Sequence, residues 1–355
     1  MLDLLRAVAE LAHGIDGIDG APGAGPVDII GVGPRGTDPA PPWTPPVPTR
    51  HLSLPLPFLY DAWTRFRRPT IESAAGPVDL VHLTVPMSPP RTSVPLVATV
   101  HDLYPLTRPE WFTGRGARLM QRGLERIRDE AAVVMVPSRT VARDCAAHGF
   151  DAGRVQVLPW GSTPVEVTPA DVEQVTTRYG LSRPYVLFVG TLEPRKGLAV
   201  LADALVQLGR ADVTLALAGP QGWGEGDPAR LSSVPGPVVR LGFVPRSDLS
   251  ALQRGAAVFC FPSWAEGFGL PVLEALAAGA PVVTSAGTAT EEVAGDAALL
   301  VRPGIPADLA DAIGRLLDDP ALAAVLRARG PARAATFTWD AAARTLLDVY
   351  ARALA

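Results

Sequence analysis

From about residue 79 onward, short apolar runs alternate with amphipathic stretches. The apolar runs are rich in β-branched residues without polar alternation, which is typical of strands buried on both faces of a parallel sheet. The predicted strands are 79–85, 95–100, 132–138, 155–159, 185–190, 213–219, 238–244, 257–263 and 281–285. The predicted helices between and after them are 115–130, 197–209, 247–256, 270–279, 307–318, 320–330 and 339–354. This order predicts an α/β protein with doubly wound sheets.

The segment 164–184 separates two series of strands, because it has turn residues at both ends and no strand. We therefore predict two domains, residues 1–165 and 166–355. The final helix carries an apolar stripe, and its members are Leu346, Val349, Tyr350 and Leu354. Such a stripe must dock on another surface, for which the first domain is the expected partner.

A glycine pattern, Gly31-x-Gly33-x-x-Gly36, resembles a dinucleotide-binding fingerprint. That fingerprint requires a helix whose N-terminal amides face the pyrophosphate, and the next residues, TDPAPPWTPP, cannot form one. We therefore reject an oxidoreductase. The proline-rich stretch 34–57 is predicted to be an extended surface connection, and a polyproline segment that docks a partner is the alternative.

Composition and charge exclude several classes of protein. The sequence contains no run of about 18 apolar residues that would indicate a membrane span. Its start lacks the cationic region of a secretory signal. Cys145 and Cys260 lie far apart, and the five histidines show no zinc-like spacing. The net charge of −4 argues against general nucleic-acid binding. We expect a cytoplasmic protein with no metal, no other cofactor and no nucleic-acid partner.

The chain contains 31 arginines but a single lysine, Lys196, which follows Arg195 in YVLFVGTLEPRKGL. A buried strand is expected to end at Gly190 and a helix to begin near Gly197. The carboxyl ends of strands border the binding crevice of an open α/β sheet. Cations are disfavoured at a helix N-terminus, so the pair requires a compensating anion. We interpret the pair as a phosphate site, and a solvated pair at a helix start is the alternative.

A second stretch, FPSWAEGFGLPVLEALAAG, places Glu266 and Glu274 on either side of a glycine-rich turn. The amides of Phe268, Gly269 and Leu270 should point from a helix N-terminus into the crevice, where they suit an anion or sugar oxygens. Glu274 can accept from a vicinal diol such as a ribose, and Glu266 can meet a second polyol. An ordinary turn with two solvated acids is the alternative.

Residues 185–303 resemble the donor-binding domain of retaining glycosyltransferases of the glycosyl transferase group 1 type, family 4. The matching stretches are VGTLEPRKGL, LALAGPQGWG, VRLGFVPRSDLSAL, PSWAEGFGLPVLEALAAGAPVV and EEVAGDAALLVRP. In the first domain, VATVHDLYPL and VPSRTVARDC are similar to the family's corresponding strands. The resemblance implies the GT-B fold, with two doubly wound Rossmann-like domains that face a central cleft.

The resemblance implies roles for the residues of both motifs. Glu274 would bind the donor ribose, and Glu266 the transferred sugar near its 3-hydroxyl. Arg195 and Lys196 would neutralise the diphosphate, with Gly190 packed against it.

It also implies that the amides of Phe268, Gly269 and Leu270 hold sugar hydroxyls and phosphate. His101, which follows a strand of the first domain, would reach across the cleft to the donor sugar, and a histidine at the edge of the core is the alternative. The implied catalytic residues are His101, Arg195, Lys196 and Glu266.

The implied reaction is a metal-independent, retaining transfer of a mannose- or glucose-like hexose from a nucleoside-diphosphate sugar, in cell-envelope polysaccharide synthesis. Fixed cations and helix amides would stabilise the charge that develops on the leaving diphosphate. The departing phosphate can itself deprotonate the acceptor. A covalent intermediate on Glu266 is the alternative mechanism. Nucleotide-sugar epimerases of the same fold lack the EGFGLPVLEA arrangement.

Family members begin with a strand and a glycine-rich loop before a helix resembling LLRAVAELA, with which this sequence starts. We therefore expect the first strand to be missing. The alternative function is a truncated, non-catalytic GT-B protein that binds a nucleotide sugar or a partner.

The predicted helix at 115–130 places Arg115, Arg118, Arg122 and Arg126 at spacings of three and four, along one face. Such a face can rest on anionic lipid at the inner face of a membrane, or receive a sugar or lipid-linked acceptor. A solvated surface helix is the alternative.

Overall fold

The structure is a computed structural model that describes residues 2–14, 27–36, 38–41, 43–222 and 228–355. It divides into two compact units, of which the first comprises Met1–Gly161 with Thr338–Ala355 and the second comprises Ser162–Phe337. The sequence placed the boundary at 165/166 and assigned the final helix to the second domain, whereas that helix belongs to the first unit. The end of the motif LALAGPQGWG, residues 223–224, lies outside the described residues.

The described residues form short parallel strands and helices of four to 17 residues. The strands are β1 (Gly31–Gly33), β2 (Thr49–His51), β3 (Val81–Leu83), β4 (Leu96–Thr99), β5 (Val133–Val136), β6 (Val155–Val157), β7 (Tyr185–Val189), β8 (Thr214–Ala218), β9 (Val238–Gly242), β10 (Val258–Phe261), β11 (Val282–Ser285) and β12 (Ala298–Val301). The helices are α1 (Leu2–Gly14), α2 (Phe58–Arg65), α3 (Glu72–Ala75), α4 (Tyr104–Thr107), α5 (Gly114–Glu130), α6 (Arg139–Ala147), α7 (Pro169–Arg178), α8 (Leu198–Leu208), α9 (Pro228–Ser232), α10 (Arg246–Gly255), α11 (Leu270–Ala277), α12 (Ala289–Ala294), α13 (Pro306–Asp318), α14 (Pro320–Ala334) and α15 (Trp339–Leu354). Every strand and helix predicted above is present, with ends that differ by four residues or fewer.

The second unit is built on a six-stranded parallel sheet in the order β12-β11-β10-β7-β8-β9. Every residue of β7, β8 and β10 is buried, as their continuous apolar runs predict. The chain runs outward from β7 in one direction and from β10 in the other, which is the doubly wound arrangement. Ligands of such sheets bind where the strand order reverses, so the loops after β7 and β10 border the expected crevice.

The first unit contains a four-stranded parallel sheet in the order β3-β4-β5-β6 and a separate parallel pair, β1 and β2. The pair corrects the expectation that 34–57 is only an extended connection, because β2 lies within it. Leu52, which follows β2, is also buried in the core of the unit. The six residues from 49 to 54 contain no proline, so the backbone there is free to pair.

The glycine pattern that resembles a dinucleotide fingerprint does not form a phosphate loop. Gly31 and Gly33 lie within β1, and their Cα partners are Thr49 and His51. In the described residues 38–41 and 43–57, no helix follows. The structural element that the fingerprint requires is therefore absent from this part of the chain.

Helix α15 packs against α1 and β4 of the first unit. Leu346 and Val349 are buried, and the Tyr350 hydroxyl lies 2.7 Å from His82 Nδ1. Burial lowers the pKa of His82 to about 4, so its ring is neutral at physiological pH. The predicted apolar stripe is wrong at its end, because Leu354 is 53% exposed.

Helix α7 occupies the middle of the segment that separates the two series of strands. Its first turn is closed by a capping box, in which the Thr168 hydroxyl accepts from the Asp171 amide and the Asp171 carboxylate accepts from the Thr168 amide. The helix packs against α10, which makes it part of the second unit.

Candidate active site

Backbone contacts hold the loop after β7 against the loop after β10. The 3₁₀ turn Pro194–Lys196 ends at Gly197, whose φ is 72°. A Cβ at Gly197 would lie 2.1 Å from the carbonyl oxygen of Pro262, so this approach requires glycine. The amide of Trp264 donates to the carbonyl oxygen of Arg195 at 2.8 Å. These contacts fix Arg195 and Lys196 beside residues 263–266.

Lys196 is buried between these loops and is neutralised by a glutamate. Its Nζ donates to Glu266 Oε1 at 2.6 Å and lies 5.1 Å from the centroid of the Phe261 ring. Gly190, which follows β7, lies beside the aliphatic part of the lysine, and a Cβ there would be 4.0 Å from Lys196 Cε. The anion that the sequence required for Lys196 is therefore Glu266.

Arg195 is held by two carboxylates. Its Nη2 lies 2.8 Å from Glu193 Oε1, and its Nη1 lies 3.4 Å from Glu266 Oε1. Glu193 was not predicted as a site residue, and only its place two residues before Arg195 could have indicated it. We call Glu193, Arg195, Lys196 and Glu266 the charge cluster. All four belong to the second unit.

Ser263 is a second residue that the sequence analysis missed. Its hydroxyl donates to Glu266 Oε1 at 2.7 Å and lies 3.0 Å from the carbonyl oxygen of Arg195. Glu266 Oε1 thus accepts from Lys196, Arg195 and Ser263. Among the described residues, Glu266 Oε2 has no hydrogen-bond partner, so this second oxygen is available to a ligand hydroxyl.

The glycine-rich turn leads into α11 as predicted. Gly269, which precedes the helix, has a φ of 105°, and a Cβ there would lie 2.7 Å from Thr290 Cγ2. Within the described part of the chain, the amides of Gly269 and Leu270 donate no hydrogen bond. The Phe268 ring points into the protein, where it packs edge-on against Phe337 at 5.9 Å between centroids.

Glu274 lies on α11, beside α10. It is half-buried, with Oε1 3.9 Å from Arg246 Nη2. The two residues line a narrow pocket together with Ser250 and Gln253 of α10. The carboxylate therefore lines this pocket beside Arg246.

His101 belongs to the first unit, unlike the other predicted site residues. Its Nε2 lies 2.9 Å from the carbonyl oxygen of Thr84, so this nitrogen carries the proton. Nδ1 is buried and has no partner among the described residues. Burial lowers the pKa of His101, which favours a neutral ring whose Nδ1 accepts a hydrogen bond. The ring also packs edge-on against Trp160 at 5.3 Å between centroids.

The arginine face of α5, defined as Arg115, Arg118, Arg122 and Arg126, is not uniformly free. Arg115 pairs with Asp61 of α2. Arg126 is half-buried and donates to the carbonyl oxygens of Trp63 and Thr64, at the end of α2. Arg118 and Arg122 are exposed, and neither forms an ion pair with a described residue. The predicted four-residue surface therefore contains two exposed arginines without an ion-pair partner among the described residues.

The described residues include neither a membrane-spanning helix nor a metal-binding cluster. None of their helices has the length and apolar character needed to cross a bilayer. No group of three His, Cys, Asp or Glu side chains among them could hold a metal ion.

Solved structures of similar fold include sucrose-phosphate synthase from Thermosynechococcus elongatus. It has a TM-score of 0.69 at 24% identity, over 85% of this chain and 82% of that one. Anabaena HepE in complex with UDP-glucose has a TM-score of 0.69 at 21% identity, over 86% of each chain. The chain therefore has the predicted GT-B fold.

Family models match both units of the chain. The model for glycosyltransferase family 4 matches residues 1–162, and the model for glycosyl transferases group 1 matches residues 183–319. The O-antigen chain mannosyltransferase B of Escherichia coli is 32% identical over 72% of this chain and 69% of its own length. The D-inositol 3-phosphate glycosyltransferase of Nocardia farcinica is 33% identical over 74% of this chain, but only 62% of its own length is aligned. These matches confirm the predicted family and enzyme class: the chain belongs to the family 4 glycosyltransferases of group 1.

Proposed function

We propose that the chain is a retaining glycosyltransferase that moves a mannose- or glucose-like hexose from a nucleoside-diphosphate sugar to an acceptor hydroxyl without a metal ion. One observation carries this proposal: Lys196 Nζ lies 2.6 Å from Glu266 Oε1. This contact brings the phosphate motif and the sugar motif together, beside the position between β7 and β10 where the strand order of the sheet reverses. A nucleotide-sugar donor needs this adjacency, because its diphosphate is bonded directly to the sugar that is transferred.

The diphosphate would bind to the cations and to the start of α11. Arg195 offers a planar guanidinium and Lys196 a compact ammonium, both of which suit phosphate oxygens. Gly190 leaves room beside Lys196 for the diphosphate. The amides of 268–270 would supply further donors at the helix N-terminus.

Three acceptors would bind the sugar and the ribose. Glu266 Oε2 is available for a hydroxyl of the transferred sugar, while Oε1 is occupied by Lys196, Arg195 and Ser263. Glu274 would accept from the ribose diol. Nδ1 of His101 suits a hydroxyl donor of the sugar.

The chemistry depends on the fate of the leaving group. As the bond between the anomeric carbon and the phosphate oxygen breaks, negative charge grows on the diphosphate, where the fixed cations stabilise it. The departing phosphate takes the proton of the acceptor hydroxyl, and the acceptor oxygen bonds to the anomeric carbon from the face that the phosphate leaves, which gives retention. A covalent intermediate on Glu266 is the weaker alternative, because its carboxylate already accepts from an ammonium and a hydroxyl, and such donors reduce nucleophilicity.

The names of similar proteins support a hexose donor. One relative is a mannosyltransferase, and one structure of similar fold holds UDP-glucose. GDP-mannose and UDP-glucose are therefore the first donors to test. The relatives act on an O-antigen chain and on D-inositol 3-phosphate, according to their names, so hydroxyls of lipid-linked sugars and phosphorylated polyols are the first acceptors to test.

A lipid-linked acceptor would bring the enzyme to an anionic membrane surface, and α2 and α5 offer a surface for it. Exposed Arg118 and Arg122 lie on α5, beside α2. On α2, Phe58 and Arg65 are seven residues apart on one face, and both are exposed. Phe66, just after α2, is 63% exposed. Arginines together with exposed aromatic rings suit the headgroup region of a membrane.

The test measures donor binding and hydrolysis. UDP-glucose and GDP-mannose are incubated with the protein without an acceptor, with and without EDTA, and release of the nucleoside diphosphate is followed beside thermal shift. We expect one of them to raise the melting temperature and to be hydrolysed slowly, with no effect of EDTA.

Retention is tested by NMR of the transferred sugar, whose anomeric configuration should match that of the donor. Loss of activity in EDTA would overturn metal independence, and an inverted product would overturn the mechanism. Binding without turnover, with every acceptor class tested, would favour the alternative of a non-catalytic nucleotide-sugar-binding protein.

A further inference from the structure

The four side chains of the charge cluster carry no net charge when all are ionised. Arg195 and Lys196 contribute two positive charges, and Glu193 and Glu266 contribute two negative charges. The ion pairs are close, at 2.8 Å between Arg195 and Glu193 and 2.6 Å between Lys196 and Glu266. The cations that would bind the diphosphate are therefore compensated before any donor arrives.

Burial makes this compensation strong. Glu193 is 6% exposed, and both Lys196 and Glu266 are 8% exposed, so water screens their charges only weakly. Buried cations also need a fixed partner, because removing an unpaired charge from water is costly. A bound nucleoside diphosphate feels the attraction of both cations and the repulsion of both carboxylates.

Glu266 has a role in sugar binding under the proposed function, whereas Glu193 has none. Among the described residues, Arg195 is the ion-pair partner of the Glu193 side chain. Substitution of Glu193 therefore leaves the pair between Lys196 and Glu266 in place. This separation allows the charge of one carboxylate to be tested alone.

We propose that Glu193 is a positioning residue that acts through Arg195. Together with Glu266, it offsets the charge of the cations that bind the diphosphate. The nucleoside diphosphate left after transfer therefore binds weakly and departs. The proposal rests on the proposed function. After transfer, the product no longer offers a sugar hydroxyl to Glu266 Oε2, so the repulsion by that carboxylate is no longer balanced by a hydrogen bond. The cluster thus favours the intact donor over the product.

The experiment compares Glu193→Gln with the parent by calorimetry with UDP and with GDP. The amide keeps the size of the side chain and removes its charge. We expect about three- to tenfold tighter binding of whichever nucleotide the parent binds, because one close negative charge is removed. In steady-state transfer assays, the inhibition constant of that nucleotide should fall by the same factor.

Three further variants complete the design. Glu193→Asp keeps the charge and should bind the nucleotide like the parent. Glu173→Gln removes an equally charged but exposed side chain on α7, and it should also bind like the parent. Glu266→Gln should tighten nucleotide binding as Glu193→Gln does, but transfer should fall because the sugar contact is weakened.

Unchanged or weaker nucleotide binding by folded Glu193→Gln would overturn the proposal and indicate that Glu193 only holds Arg195 in place. If Glu193→Gln does not fold, unchanged nucleotide affinity in Glu266→Gln would overturn it instead. A parent protein that binds neither UDP nor GDP would overturn the proposed function as well, which distinguishes the two failures.

Discussion

The charge cluster and the arginine face of α5 are both cationic, but they differ in what surrounds the charges. In the cluster, buried Lys196 and half-buried Arg195 each have a carboxylate oxygen within 2.8 Å. On α5, exposed Arg118 and Arg122 have no ion-pair partner among the described residues. The difference follows from hydration, because a buried charge needs a protein partner whereas an exposed one is solvated by water.

The comparison also teaches which sequence signal is specific. Three members of the cluster, Arg195, Lys196 and Glu266, were predicted from two motifs of fixed spacing, and the structure joins these motifs. The arginine face was predicted from helical periodicity alone, and half of it serves contacts within the first unit. Periodicity identifies residues that share a helix face, but it does not tell whether that face meets solvent or another helix.

The largest expected effect is that of Lys196→Ala on nucleotide binding. Loss of one charge-assisted contact to phosphate costs about 1.5–3 kcal/mol, so affinity for UDP or GDP should fall by about ten- to 150-fold in calorimetry. Arg315→Ala, at an exposed position of α13 in the same unit, is the matched control and should bind like the parent. If folded Lys196→Ala bound UDP or GDP as tightly as the parent, the cluster would not differ from any other cationic group in nucleotide binding.

The second prediction concerns Arg118 and Arg122, the exposed arginines of this face without an ion-pair partner among the described residues. If it meets anionic lipid, the parent should co-sediment with phosphatidylglycerol vesicles at low salt but not with phosphatidylcholine vesicles. Each basic residue contributes about 1 kcal/mol near such a surface, so Arg118→Glu with Arg122→Glu should weaken vesicle binding by about 30-fold or more. Binding should also fall steeply with salt, whereas nucleotide affinity of the double variant should match the parent. Absence of parent binding at low salt would leave α5 as a solvated helix.

The third prediction tests whether Glu274 binds the ribose, a role different from that of the charge cluster. Glu274→Ala should weaken binding of UDP or GDP by about tenfold, because one hydrogen bond from a ribose hydroxyl to a charged group is lost. With the 2′-deoxyribose and 3′-deoxyribose analogues, the difference between parent and variant should shrink for the hydroxyl that Glu274 contacts. A difference that persists with both analogues would contradict the ribose assignment.

The smallest expected effect is a difference in stability between variants of Arg126 and Arg122, two members of the arginine face. Arg126→Ala removes two hydrogen bonds to carbonyl oxygens of α2, so urea unfolding should show a loss of about 1–2 kcal/mol. Arg122→Ala, four residues earlier and exposed, should change the unfolding free energy by less than about 0.5 kcal/mol. Equal losses of unfolding free energy in the two variants would show that burial does not distinguish these two arginines.

Much of the fold was predictable because buried parallel strands have a strong signature. β7, β8 and β10 are continuous apolar runs, and each was found from its own residues. β2 was missed because three residues among prolines give almost no periodicity. α7 was missed although the Thr168 to Asp171 spacing of its capping box is visible in the sequence, since no apolar stripe of sufficient length accompanies it.

Three members of the charge cluster were predictable from the sequence, but their contacts were not. Arg195, Lys196 and Glu266 each lie in a recognisable motif. The pairing of Lys196 with Glu266 joins residues 70 positions apart, which depends on β7 and β10 being neighbours in the sheet. Ser263 and Glu193 are common residue types in loops, and only their hydrogen bonds indicate their roles.

The position of α15 has a consequence for the order in which the chain can fold during synthesis. Residues 338–355 are the last of the first unit to leave the ribosome, after the whole of the second unit at 162–337. Until then, Leu4, Val97 and Met135 lack Leu346 as their partner in the apolar core, and His82 lacks the Tyr350 hydroxyl. The second unit is contiguous and can complete its sheet first, although its residues are made later than most of the first unit. A nascent chain that stops before α15 would therefore expose an apolar surface on the first unit, where chaperone binding or aggregation should be greatest.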